Sequence, residues 1–383
     1  MKFVHISDTH LGYHQYGLQE RAEDFYDVFD EAVDFAIEKK VDFVIHTGDF
    51  FHSSRPSNQV ILQGISILQK LKDAGIPIFV ISGNHDRGSQ VRDVSPLKIL
   101  EPSGLKLIDN GVIEYDGIFF AGLKYISKAG LKQMGGSLRP IFEKYLKNIG
   151  NGFKILMLHQ EFQPFFPSSN LYLKNEIPEG FDYVGIGHYH IPQMPAVING
   201  ATVVQPGSTE FTAYNEKEEE AGKGFYYVEV DGKEVKPQFI KLNRRRPFLY
   251  YRFSEENIEE LIKQIKEDIE KLGGGKKPVI VFKGVLKELT YKDIYKYLSA
   301  EGISEEEGSI LHLHFNLTRE VAEEEGFSVI ETSTEKINQE LKRLIEDDEL
   351  FESVVETLNF LRTFDNIDEI KKYLKENPDA IDI

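Results

Sequence analysis

The chain has no cysteine among its 383 residues, which excludes disulfides, thiolate zinc sites and cysteine nucleophiles together. No apolar run approaches the roughly 18 residues that a membrane span requires. The start, Met1-Lys2-Phe3-Val4, enters a strand without the basic segment and apolar core of a leader. A cytoplasmic location is expected, and chemistry is left to His, Asp, Asn and bound metal. Basic residues are also scarce: 45 Lys and Arg face 63 Asp and Glu, a net charge of -18. That balance counts against a protein that handles nucleic acid, because affinity for phosphates comes from Lys and Arg. The deficit is unevenly placed. Residues 316–383 hold 8 basic and 19 acidic side chains, a net of -11, which leaves -7 for residues 1–315.

What is present is concentrated in five short stretches: Asp8-Thr9-His10, Gly48-Asp49, Gly83-Asn84-His85-Asp86, His159 and Gly187-His188-Tyr189-His190. Each follows an apolar run rich in β-branched and aromatic residues (3–6, 43–45, 78–81, 155–158 and 183–186), so the polar groups fall where strands end and loops begin. An open α/β sheet builds its sites there. Carboxylate, imidazole and amide together suit two divalent cations of intermediate hardness, and one carboxylate can bridge ions roughly 3.5–4 Å apart. Asp8 and His10, two apart in extended backbone, can point to one side, and His188 and His190 repeat that spacing. Asp49, after a glycine that lets the backbone turn, is the natural bridge, and Asn84 offers a neutral amide oxygen. The pattern reads as a metal-dependent phosphate-ester hydrolase. His85 follows Asn84 directly and is placed to contact phosphate or protonate a leaving oxygen, its pKa tuned by the metals and by Asp86. His5 and His46, inside or beside strand runs, read as core or supporting groups.

The strand and helix pattern gives an α/β class with sheet packed on sheet and helices outside. Amphipathic helices are expected over 21–39 and 58–74, and a closing hairpin over 225–230 and 235–242, turning at Asp231-Gly232. Asn243-Arg244-Arg245-Arg246-Pro247 reads as a hinge whose basic triplet is a solvated linker. A β-α-β-α-β module follows, in which His312 and His314 read as a solvated sheet face in preference to a metal site. The expected divisions are 1–242, 243–315 and 316–383. Beyond Asn316 an acidic connector leads to helical stripes, one of them Phe351, Val354, Val355, Leu358 and Leu361, too small a core to stand alone and so read as a docking surface.

The five-part pattern resembles the calcineurin-like metallophosphoesterases. The wording at Asp8–Tyr13 (DTHLGY), Gly48–Ser57 (GDFFHSSRPS), Gly83–Arg87 (GNHDR) and Pro206–Glu210 (PGSTE) is similar to the DNA double-strand-break repair nucleases of the meiotic-recombination-eleven and SbcD type. That resemblance implies a four-layer β-sandwich flanked by helices, a small α+β cap and a helical tail. It assigns one metal to Asp8, His10, Asp49 and His190, a second to Asp49, Asn84, His159 and His188, and phosphate-orienting work to His52. Oxygen and nitrogen donors without thiolate fit manganese. Water activated by the metals would attack the phosphodiester in line. The implied activity is an exonuclease on double-stranded ends and an endonuclease on single strands, nucleoid-associated, working as a homodimer with a coiled-coil ABC-type ATPase held by the tail. Tyr13, His14, Arg55, Arg87 and Arg92, on loops beside the clusters, are candidates for DNA-backbone contacts. The 58–74 helix is apolar over more than one stripe, as a dimer face would be and as an enlarged core contact would be too. A phosphatase or small-molecule phosphodiesterase is the alternative enzyme. Against it, Gly48-Asp49-Phe50-Phe51-His52-Ser53-Ser54 lacks the arginine of the phosphatase motif G-D-x-V-D-R-G. A non-catalytic scaffold, the third reading, need not retain every ligand.

Overall fold

The structure is a computed structural model that describes residues 1–87 and 94–319. Arg92 and the tail stripe of Phe351, Val354, Val355, Leu358 and Leu361 lie outside the described residues. Met1–Gly284 with Leu289–Leu317 forms one compact unit. Its strands are β1 (Lys2–Ile6), β2 (Phe43–His46), β3 (Ile78–Val80), β4 (Leu105–Leu107), β5 (Gly111–Tyr115), β6 (Ile118–Leu123), β7 (Phe153–His159), β8 (Tyr183–Gly187), β9 (Gln193–Ile198), β10 (Ala201–Gln205), β11 (Gly224–Asp231) and β12 (Glu234–Lys241). They make two six-stranded sheets, ordered β12-β11-β1-β2-β3-β4 and β5-β6-β7-β8-β10-β9. Strands β1 to β4 run parallel in one sheet, and β6, β7, β8 and β10 run parallel in the other. Parallel neighbours bring the carboxyl ends of the strands, and the loops after them, to one edge.

Period-2 alternation explains the layering. On β1, Phe3 faces the opposite sheet while Val4 and Ile6 face the helices. On β2, Phe43 and Ile45 face inward and Val44 outward. Strand β7 does the same with Ile155 and Met157 against Leu156 and Leu158. Stacked aromatics fill the seam between the sheets, with Phe79 and Phe120 ring centroids 3.9 Å apart and Phe3 and Phe43 4.9 Å apart. Buried runs of this kind, apolar on both faces, are what a doubly covered parallel sheet requires. Helix α1 (Gln19–Lys39) starts two residues before its expected start, and α2 (Asn58–Asp73) is capped by Ser57, whose side chain accepts from the Val60 amide. The closing hairpin pairs Asp231 with Glu234, so its turn is Gly232-Lys233, one residue later than expected, with Gly232 at φ 58. Among the described residues no helix is long and apolar enough to cross a membrane.

The cap sheet is β13 (Phe248–Phe253), β14 (Val279–Leu286) and β15 (His312–Arg319) in that order, with helices Ile258–Lys271 and Tyr291–Ala300. Strand β15 begins two residues later than expected and runs to Arg319. The arginine triplet is not a solvated linker. Arg244 pairs with Asp30 at 3.0 Å and Asp34 at 2.6 Å, Arg245 with Glu219 at 2.7 Å, and the buried Arg246 with Asp24 at 2.6 Å. Lys276 also reaches Asp24, at 2.8 Å. The acidic face of α1 takes up Arg244, Arg246 and Lys276, and the short helix Glu216–Ala221 takes up Arg245; these five charge-assisted contacts on fixed elements hold the segment more firmly than isolated surface pairs could. His312 and His314 are not a solvated face either. Both rings lie half-buried against Tyr16, with centroids 4.3 and 5.2 Å away, and His312 Nδ1 is 3.0 Å from Glu305. The apolar face of the Tyr16 ring outweighed their polarity.

Candidate metal centre

All five polar clusters meet at the carboxyl edge of the parallel strands. Asp8 and His10 leave β1, Asp49 leaves β2, Asn84 and His85 follow β3, His159 ends β7, and His188 and His190 follow β8. Two groups of donor atoms form, each within 4.8 Å: Asp8, His10 and His190, and Asp49, His159 and His188. Asn84 joins the second, its Oδ1 2.9 Å from His188 Nδ1 and 3.1 Å from His159 Nε2. Asp49 lies toward both, with Oδ2 3.3 Å from His159 Nε2 and 3.9 Å from His10 Nε2. The backbone bends hard to achieve this. Asp8, His10, Asp49 and His188 all have positive φ, between 43° and 90°, a left-handed conformation that costs roughly 1–3 kcal/mol for a non-glycine residue. Gly48 is required where it stands: at φ 95, a Cβ there would sit 2.3 Å from His159 Nδ1.

Supporting hydrogen bonds aim the rings. His159 Nδ1 lies 2.7 Å from the Thr47 carbonyl, so it donates there and Nε2 is turned toward Asp49 and Asn84. His190 Nδ1 faces Thr212 Oγ1 at 3.0 Å, which turns its Nε2 toward His10 Nε2, 3.1 Å away. Ser7 donates to Asp8 at 2.5 Å. Burial holds the imidazoles of His10 and His190 down, the latter to about 3, so both keep free lone pairs. Burial also works against charge on His159, but neighbouring Asp49, then Asp8, lift it to about 9. Burial raises Asp8 to about 6. Converging imidazole nitrogens, two buried carboxylates and an amide oxygen suit a pair of divalent cations, and these residues fit that role.

His85 and His52 lie beside this set without belonging to either group. His85 Nδ1 is 2.7 Å from the His52 carbonyl, and its ring is 5.0 Å from that of His10. The His52 ring stacks on Tyr13 at 3.8 Å and on His85 at 5.2 Å. Rings of His10, His52 and His85 also bring donor atoms within 4.8 Å of one another. Asp86 does not face His85. Its carboxylate accepts from the amides of Phe50 and Phe51, both at 2.9 Å, and Gly83 at 3.1 Å, tying the Asp49 and Asn84 loops together. Of the basic and aromatic candidates, Tyr13 is half-buried under His52. His14 is tied locally to the Gly12 carbonyl and Gln19. Arg55 and Arg87 are exposed, and the Arg87 guanidinium lies 5.1 Å over the Tyr125 ring. His5 and His46 are fully buried, bonded to Thr47 and Tyr183 and to Thr9 respectively. Sequence reasoning missed Glu161, whose Oε1 is 3.4 Å from His188 Nε2, and Thr212. Neither carries a local motif.

Comparison with known proteins places this geometry. The family model for calcineurin-like phosphoesterases matches residues 1–192. The "DNA double-strand break repair protein Mre11" of Thermoplasma acidophilum is 33% identical over 309 residues, 78% of this chain and 81% of that protein. The proteins of the same description from Methanocaldococcus jannaschii and Sulfolobus acidocaldarius are 33% and 31% identical, covering 75% and 73% of this chain and 77% and 74% of theirs. The chain belongs to the calcineurin-like phosphoesterases and, among them, to the metal-dependent nucleases of the Mre11 type.

Proposed function

We propose that the chain is a manganese-dependent nuclease of DNA double-strand-break repair, an exonuclease on double-stranded ends and an endonuclease on single strands. The observation that carries this reading is the convergence of seven side chains on two adjacent donor groups, with His85 poised beside them. Asp8, His10, Asp49 and His190 would hold one cation, and Asp49, Asn84, His159 and His188 the other. When bound, two such cations supply Lewis acidity and lower the pKa of water from near 15.7 towards ~7. The chain's own residues do the rest. The Thr47 carbonyl makes His159 Nδ1 a donor, Thr212 orients the His190 ring, Asp86 holds two ligand loops in register, and His85, oriented by the His52 carbonyl, moves a proton at the leaving oxygen. His52 orients the phosphate. Tyr13, His14, Arg55, Arg87 and Arg92 are proposed to contact the DNA backbone. The test is hydrolysis of linear duplex, single-stranded circles and a phosphomonoester, each with Mn²⁺, Mg²⁺ or Zn²⁺. Cleavage of both DNA forms with Mn²⁺ is expected. Turnover of the monoester alone would favour a phosphatase.

We take residues 1–242 as the nuclease domain, 243–315 as the cap and 316–383 as the segment that docks an ABC-type ATPase. A cut belongs after Arg319, because β15 runs that far. The shortened chain is expected to bind metal and cleave accessible DNA as before while failing to co-elute with the ATPase on size exclusion. Stoichiometric co-elution would place the docking site elsewhere. Val355→Glu with Leu358→Glu should weaken the complex in the same direction by putting unpaired charges into a desolvated contact.

Homodimerisation is proposed through α2. Val60, Ile67, Leu68 and Leu71 are spent on the core, Ile61 and Ile65 are only partly covered, and Leu62 is 65% exposed. A second copy laid on the Ile61-Leu62-Ile65 face would bury that stripe. Leu62→Glu with Ile65→Glu should give a monomer by light scattering with the metal site intact, and an unchanged dimer would remove α2 from the interface.

A further inference from the structure

Lys223 is the one lysine of the described residues that is almost fully enclosed, 1% exposed, and nothing in the proposed hydrolysis uses it. It stands just before β11, far in sequence from every ligand. Its ammonium has three acceptors: the carbonyl of His190 at 3.2 Å, Ser208 Oγ at 2.6 Å, and the carboxylate of Glu218, itself buried. Three donors meet three acceptors, which is the full capacity of a charged lysine; a neutral amine would leave one acceptor bare. The Phe211 ring, 4.8 Å from Nζ, closes the remaining side. Burial, the largest influence, brings the Lys223 pKa below its ordinary value, and Glu218, with smaller help from Glu210 and Asp8, opposes it.

The acceptors belong to one small assembly. The Pro206–Glu210 turn, noted in the sequence without a role, wraps the His190 carbonyl. The Ser208 amide donates to that carbonyl at 3.1 Å, and the Thr209 amide approaches the Asp8 carbonyl at 3.4 Å. Gly207, at φ 75, has no room for a side chain, since a Cβ would lie 2.5 Å from the same carbonyl. Ser208 Oγ passes its own proton to the Glu210 carbonyl at 2.9 Å, which leaves its lone pair for Lys223. The His190 backbone is therefore held by an ammonium and an amide, and its ring by Thr212. Asp8, the neighbouring donor, is held by the same turn. Among the described residues no hydrogen bond or ion pair runs from this assembly to Asn84, His159 or His188, the members of the other group that the two sites do not share.

We propose that Lys223, acting with the Pro206–Glu210 turn, is a positioning residue for one of the two cation sites, the one built from Asp8, His10 and His190. Its ammonium fixes the His190 backbone so that the ring nitrogen stays aimed at Asp8 and His10, and Glu218 fixes the ammonium. The inference rests on the two-site reading of the metal centre and adds that the sites are supported separately.

The experiment is equilibrium binding of Mn²⁺ alone to the full chain, with wild type measured first. Two ions per wild-type chain are expected; fewer overturns the two-site reading itself, an outcome distinct from failure of the Lys223 role. Lys223→Met is then placed in two backgrounds. His188→Ala leaves the Asp8, His10 and His190 group; His10→Ala leaves the Asp49, Asn84, His159 and His188 group. Affinity is expected to fall about 10–100-fold in the first background, the usual effect of removing an outer partner of a ligand, and to hold in the second. Equal weakening in both, or none in the first, overturns the proposal. Because Lys223→Met strands the Glu218 carboxylate, which destabilises in its own right, the double change Lys223→Met with Glu218→Met is carried through the same titrations. It should regain thermal stability and keep the selective Mn²⁺ defect. Recovery of affinity along with stability would mean that Lys223 only neutralises Glu218. Ser208→Ala, which strands no charge, should show the same selectivity more weakly, and an equal effect on both sites would count against the assembly.

Discussion

Asp49→Ala is expected to abolish phosphodiester hydrolysis and to lower bound metal together with it. Asp49 Oδ2 lies 3.3 Å from His159 Nε2 and 3.9 Å from His10 Nε2, so one carboxylate serves both donor groups. Its other oxygen accepts the His85 amide at 2.9 Å, which ties the bridge to the loop that presents His85. One truncation thus weakens both cation sites and loosens the loop between them. Losing several kcal/mol of transition-state stabilisation is a fall on the order of 10³-fold or more. The fold should survive, because Asp49 closes a strand end and its removal also relieves buried negative charge beside Asp8. Alanine in a left-handed position adds strain of about 1–2 kcal/mol, so Asp49→Asn is the companion variant: it keeps shape and backbone preference and removes only the charge. Metal per chain and initial rate are measured on the same samples. Retained turnover with two ions bound would sink the bimetal assignment.

His85→Ala should lose turnover by on the order of 10²–10⁴-fold while both ions stay bound, the usual effect of removing a proton donor or transition-state contact. The backbone of His85 is pinned independently of its ring, because its amide N–H donates to the Asp49 carboxylate, so truncation removes the imidazole without releasing the loop. The ring itself is oriented by the 2.7 Å contact with the His52 carbonyl, which survives in His52→Ala. His52→Ala should therefore keep metal and lose rate, by a smaller factor than His85→Ala. The competing reading is concrete, because His10, His52 and His85 also gather donor atoms within 4.8 Å. If either variant loses an ion, that ring is a ligand, and the division between cation-holding and phosphate-facing histidines fails.

Much of the centre is legible in the sequence because strands announce themselves locally. A short apolar run followed by a polar cluster states both a strand and its end, and parallel pairing of β1, β2 and β3 then brings distant clusters to one edge. What escapes depends on partners that no local pattern names. The arginine triplet looks solvated because the acidic partners of Arg244 and Arg246 stand on α1, some two hundred residues earlier, and that of Arg245 on a separate short helix. His312 and His314 look wet because Tyr16 lies three hundred residues away. Asp86 looks like a partner for the adjacent His85, yet its two oxygens turn to the amides of three other residues. Alternation predicts which face a side chain takes; it does not say what has folded onto that face.

Four proposed ligand residues, Asp8, His10, Asp49 and His188, hold backbone angles that glycine would adopt freely. Each such position costs stability in the protein alone, so the polypeptide carries a standing penalty at the place where it does its chemistry. Drift toward glycine or asparagine there would make the chain more robust and less able to act. A descendant relieved of cutting DNA would gain stability with each of these four that became glycine or asparagine, and its remnants would be found first at these bends, ahead of any change in the packed seam between the sheets.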